Sequence, residues 1–162
     1  MTAASSKVAL QISRNLFQYF AADSEIVHLP VDANTHRGNI ISVELGSFTP
    51  SAVSRTRTVE VDEQHGVIIR RRDGSKRAYA FEEGLGAIFL GPTGSDTLEL
   101  VVWGVDNSGL RQAARLLPML TGVGQPEFII VSRRCAWQGA GGVLAMGSFD
   151  NDWKPTEASF FS

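Results

Sequence analysis

A single cysteine stands among the 162 residues. That excludes an internal disulfide and a multi-cysteine zinc site. Cys135 closes the apolar run FIIVSRRC with no histidine near it in sequence. A thiol without a base is expected to be a small, half-buried side chain at a strand end rather than a nucleophile. There are 3 histidines, His28, His36 and His65, and none stands at i,i+2 or i,i+4 from another. No metal is therefore expected; the loosest alternative has His28 and His36 straddling Asp32. The formal net charge is only -2, which points to neither nucleic acid nor an anionic membrane. No run of about 18 apolar residues suggests a membrane span. The opening MTAASSKVALQISRNLF lacks a secretory h-region, so a full-length chain of this sequence is expected in the cytoplasm.

Catalytic and nucleotide signatures are missing as well. The hydrolase elbow Gly-x-Ser-x-Gly occurs nowhere. DNSGL sets Ser108 at the wrong spacing, and MGSFDN gives Ser148 no second glycine. GPTGSDT lacks the lysine of a phosphate-binding P-loop. WGVDNSG lacks the middle glycine of a dinucleotide fingerprint, and Asp106 would repel a phosphate there. No cofactor is expected.

What is present is a core. Hydrophobic residues make up 43% and charged residues 20%, the balance of one globular domain over residues 1–162 or of a piece of a larger chain. Val8, Ile12, Leu16, Tyr19 and Phe20 recur at helical spacing, with Leu10 and Phe17 widening the stripe. This predicts an amphipathic helix capped near Ser5 or Ser6 and ending near Ala22. A short strand is expected over residues 26–29 and another in NIISVELG. TVEVDEQHGVIIRRRDGSKRAYAF alternates like a hairpin meander, with an Asp-Gly turn at Asp73 and Gly74. Its basic run RRRDGSKR fits a solvated strand face, with Glu60, Asp62, Glu82 and Glu83 as candidate partners. Without interleaved aromatics it does not read as a nucleic-acid site.

LGAIFLGP reads as a strand buried on both faces, and PEFIIVS as a further apolar strand. TLELVVWGV, NSGLRQAARLLPMLTG and PEFIIVS read as strand, helix, strand. The helix is capped by Asp106, Asn107 or Ser108, disturbed at Pro118 and ended at Gly122. A right-handed crossover would make those strands parallel neighbours or nearly so. The expected fold is α/β: a Rossmann-like three-layer sandwich, mainly parallel, with an antiparallel hairpin element. Its ligand site would lie at the carboxyl ends of the parallel strands. The candidate residues there are Asp106, Asn107, Ser108, Arg133 and Trp137, with the following arm as a lid. Asp150 and Asp152 beside Trp153 are a weaker candidate for a carbohydrate contact. Packing of Trp137, Phe149 and Trp153 over one core edge is the simpler reading.

LGAIFLGPTGSDTLELVVWGVDNSGLRQAARLLPMLTGVGQPEFIIVS, continuing into WQGAGGVLAMGSFDNDW, resembles the C-terminal region of large fungal proteins with an α/β-hydrolase, prolyl-oligopeptidase-like domain. ALQISRNLFQYFAADSEI and GNIISVELG are similar to segments of that region too. Because the elbow is absent, no catalytic residue carries over. The resemblance implies an accessory region apart from its catalytic partner. The expected function is thus a non-catalytic accessory or interaction domain, and the expected partner a hydrolase domain or other protein. It would expose an apolar docking surface on the first helix or the arm from Trp137 to Trp153. The alternative is a stand-alone small hydrolase or ligand-binding protein, and a homo-oligomer is a further possibility.

Overall fold

The computed structural model describes residues 3–27, 38–46, 58–93, 97–117 and 125–162. Helix α1 (Ala3–Phe20) comes first, followed by strand β1 (Ile40–Leu45). The meander β2 (Val59–Asp62), β3 (Gly66–Arg70) and β4 (Lys76–Tyr79) follows. Then come β5 (Gly86–Pro92), β6 (Leu98–Gly104), α2 (Asn107–Ala114) and β7 (Phe128–Val131). A short helix α3 (Cys135–Gln138), a 3-10 turn (Gly139–Gly142), β8 (Val143–Gly147) and β9 (Phe160–Phe161) complete the order.

The main sheet has 6 strands in the order β1-β6-β5-β7-β8-β9, and β2-β3-β4 form a separate 3-stranded sheet. This overturns the Rossmann-like, mainly parallel expectation. Among the described strands only β1 and β6 pair in parallel; β5–β6, β5–β7, β7–β8 and β8–β9 are antiparallel. The cause is local. Strand β5 precedes β6 in the chain and occupies the place beside it, with Ile88 opposite Val102. The crossover through α2 must then pass over β5, and β7 pairs on its far side, Ile88 opposite Ile129. β6 and β7 do run the same way, but they are not neighbours.

Layering differs as well. Alternation along β5 and β6 sends Ile88 and Val102 toward the helices, where they meet Val8 and Ile12 of α1 and Leu110, Ala113 and Ala114 of α2. Ala87, Phe89, Val101 and Trp103 point the other way and pack on Val59, Val61, Val67, Ile69 and Tyr79 of the small sheet. Helices therefore cover one face, and a second sheet, rather than more helices, covers the other. Residues 86–89 of β5 are all buried, in line with the two-face burial expected of LGAIFLGP, while the expected pairing of β6 with β7 is not formed. Such runs mark burial, and burial on both faces does not require parallel neighbours.

The meander forms as its alternation predicts, with Val59 opposite Ile69 and Val67 opposite Tyr79. Arg70 pairs with Glu60 at 3.0 Å across it. In α1 the stripe narrows. Val8 and Ile12 are buried and Leu16 is half-buried, while Leu10, Phe17, Tyr19 and Phe20 stay exposed. Ala21 takes a left-handed φ of 50° and closes the helix. Helix α2 ends at Ala114, earlier than expected, in a tight turn with Leu116 N–H on Ala113 O at 3.0 Å and Leu117 N–H on Ala114 O at 3.2 Å. Pro118 and Gly122 lie outside the described residues. Ile26 and Val27 carry no strand, and the rest of that expected strand lies outside them too.

Candidate functional site

The sequence-derived residues converge on one end of the main sheet, where β6 and β7 finish. Asp106 caps α2: its Oδ1 accepts the Gly109 N–H at 2.8 Å. Its Oδ2 accepts the Gly84 N–H at 2.9 Å, from the loop that leads into β5. Both carboxylate oxygens are thus engaged by the chain's own amides. Asn107 is exposed, with its carbonyl taking the Arg111 Nε–H at 3.1 Å, and Ser108 is half-buried in the first turn. Arg133, after β7, rests its Cβ against Gly84, where an added methyl would lie 2.9 Å away. Its guanidinium reaches Glu83 at 2.8 Å and lies 5.7 Å from the centre of the Trp137 ring. Trp137 is 61% exposed.

These side chains share a corner, but the crevice expected between them is filled. The loop before β5 crosses the carboxyl end of β6, and Val105 donates to Leu85 O at 3.0 Å. Gly104 lies so close to α2 that a Cβ would fall 2.0 Å from Leu110 N; at Gly109 it would fall 2.0 Å from Leu85 O. Backbone meets backbone here, so no phosphate-sized space opens at the α2 N-terminus. Gln112, buried at 8% exposure, donates from Nε2 to Gly84 O at 3.3 Å. Sequence reasoning missed Gln112 and Gly84, and it assigned Glu83 to the basic run rather than to Arg133. The available signal was a glutamine on the apolar side of a short helix, between Leu110 and Ala113.

Nucleophile chemistry finds no support in this geometry. Cys135 opens α3 half-buried, and burial raises its thiol pKa, which keeps it protonated. His65, the one histidine among the described residues, lies in the β2–β3 turn on the other sheet, its Nδ1 2.6 Å from Asp62 Oδ1. His28, His36 and Asp32 lie outside the described residues. Among those described, no group of three His, Cys, Asp or Glu side chains comes together as metal ligands. Ser148 is half-buried, and its carbonyl accepts Thr156 N–H at 2.9 Å.

The arm after β8 is built by Asp150. Its Oδ1 accepts the amides of Asp152 and Lys154, each at 2.9 Å, and those bonds hold its carboxyl below the usual aspartate pKa. Trp153 stands at φ 58° and packs on Phe149, ring centres 5.8 Å apart, while Phe149 meets Phe128 at 5.1 Å. Phe149 and Trp153 do cover a core edge. Trp137 does not join them; it sits with Arg133.

No family model and no solved structure matches the chain. An uncharacterized secreted protein of Arthroderma benhamiae is 41% identical to it over 160 residues, a match covering 96% of this chain and 17% of that protein. The expectation of a cytoplasmic chain is corrected by this relative, which is described as secreted. The hydrolase association finds no support, since no family model matches the chain. The chain spans less than a fifth of the curated relative it matches.

Proposed function

We propose that this chain is a non-catalytic interaction module within a longer, secreted polypeptide, and that it docks onto another part of that polypeptide through its helix-side face. One observation carries the reading: among the described residues the helix layer is incomplete. Helices α1 and α2 cover β1, β5 and β6, while on the same face of β8 and β9 the paired residues Met146 and Phe160 remain 44% and 49% exposed. On α1, Phe17 and Tyr19 stand 67% and 58% exposed, and Leu10 and Phe20 are exposed as well. Single exposed apolar residues are ordinary, but several on one layer mark an interaction surface. The long relative supports the presence of further chain to dock against, and its description as secreted supports an extracellular location. The filled crevice at the α2 N-terminus supports a structural rather than catalytic role for that corner.

Hydrogen–deuterium exchange tests the reading. Amides of α1 and of β8–β9 exchange more slowly in the longer polypeptide than in the 162-residue chain alone. Equal rates in the two would overturn it.

A further inference from the structure

The β3–β4 hairpin carries Arg70, Arg71, Arg72, Lys76 and Arg77. Three of these arginines have partners. Arg70 pairs with Glu60 at 3.0 Å, Arg72 lies 3.8 Å from Asp150, and Arg77 donates to the Ser162 carbonyl. Arg71 differs. Its guanidinium carbon lies 4.5 Å from the centre of the Phe161 ring, and its Nε, like that of Arg70, is buried without a hydrogen-bond partner. Among the described residues no carboxylate stands within ion-pairing distance of it. The nearby acids are held in their own turns: Asp73 Oδ1 accepts Ser75 N–H at 2.8 Å, and Asp150 Oδ1 takes two amides of its loop.

Arg71 borders a shallow groove of about 540 Å³ between the hairpin turn and the final arm. Arg72, Asp73, Thr156, Glu157 and Ser159 line it with Pro155 and Phe161. The aromatic ring fixes the guanidinium plane, and burial has already removed water from its Nε edge. A charge-assisted hydrogen bond to its outer nitrogens therefore costs little further ordering. A planar, singly charged carboxylate fits such a fork.

We propose that Arg71 anchors a recognition site for an acidic peptide, taking a glutamate or aspartate carboxylate end-on while Arg72 adds long-range attraction. Pro155 and the Phe161 edge receive the aliphatic stem of that side chain. The site lies on the small-sheet side and is separate from the helix-side docking face.

The test is an NMR titration of the isotope-labelled chain with an N-acetylated, C-amidated tetraglutamate peptide. Matched tetraglutamine, inorganic phosphate and a galacturonate trimer serve as further arms. The expected result is that tetraglutamate moves the Arg71 Nε–H signal and the amides of residues 71–75 and 155–161, and tetraglutamine does not. Arg71→Gln weakens binding at least tenfold. Arg71→Lys, which keeps charge without the planar fork, weakens it nearly as much. Phe161→Leu loosens it while Arg71 stays. Signals elsewhere in the variants report whether the fold is intact, and the wild-type shifts stand without any variant. Absence of shifts in the wild type with tetraglutamate overturns the site. Equal shifts with phosphate or galacturonate overturn the assignment to peptide, and unchanged affinity in Arg71→Gln overturns the role of Arg71.

Discussion

Asp106 and Gly84 stand 22 residues apart and are joined by one hydrogen bond, Gly84 N–H to Asp106 Oδ2 at 2.9 Å. The other oxygen of the same carboxylate caps α2 at Gly109. One side chain thus ties the start of the crossover helix to the loop that inserts β5 between β6 and β7. Replacing Asp106 with alanine removes both bonds and is expected to cost about 2–3 kcal/mol. Asp106→Asn retains one acceptor and is expected to lose roughly half as much. Chemical denaturation of the two variants checks the order. An unchanged midpoint in Asp106→Ala would refute the clamp.

The close approach at this corner gives a second expectation. Gly104→Ala puts a methyl 2.0 Å from Leu110 N, an atom that moves only with the helix. Overpacking of this kind costs about 3 kcal/mol. Gly141→Ala meets nothing nearer than the Gln138 Cβ at 3.4 Å and is expected to be close to neutral. Paired thermal melts decide it, and similar losses in both would show that the helix does not seat on the strand as described.

Trp103 is fully buried, and its Nε1–H donates to Gly46 O at 2.9 Å. Trp103→Phe loses that bond and some volume, for about 2–3 kcal/mol. It also removes the buried emitter. The spectrum of Trp103→Phe shifts to the red and is quenched more readily by acrylamide, while Trp137→Phe moves both properties the other way. Identical quenching in the two variants would contradict their opposite burial.

Hydrogen bonds hold the carboxyls of Asp62, Asp73 and Asp150 below the usual aspartate pKa. The dominant contacts are His65 for Asp62, Ser75 for Asp73 and the Lys154 amide for Asp150. A depressed folded-state pKa stabilises the fold above the unfolded value and loses that stabilisation as pH falls through the folded one. The melting temperature should therefore drop as pH falls below about 4. A variant with all three changed to asparagine should show a shallower drop in melts between neutral and strongly acid pH. A slope equal to that of wild type would exclude these carboxylates as the source.

Local features were legible in the sequence. The alternation of Val59, Val61, Val67 and Ile69 set the meander, and Asp106 was one of the caps proposed for α2. The sheet order was not legible. LGAIFLGP shows that β5 is buried, but its composition carries no sign of which strand lies beside it. The insertion depends on contacts between Ile88 and both Val102 and Ile129, far apart in the chain. β9 has two residues, too few for any period. The contact of Asp106 with Gly84 depends on tertiary approach, as does the filling of the crevice by Leu85. The candidate residues share the carboxyl ends of β6 and β7, while the space expected between them is closed.

The central claim is that this chain is a module of a longer, secreted polypeptide. An antibody against residues 125–162, used on culture medium and cell lysate of the native source, tests it most directly. The account predicts antigen in the medium, on a polypeptide several times larger than the 17.5 kDa of this chain. Antigen confined to the lysate at 17.5 kDa would contradict it.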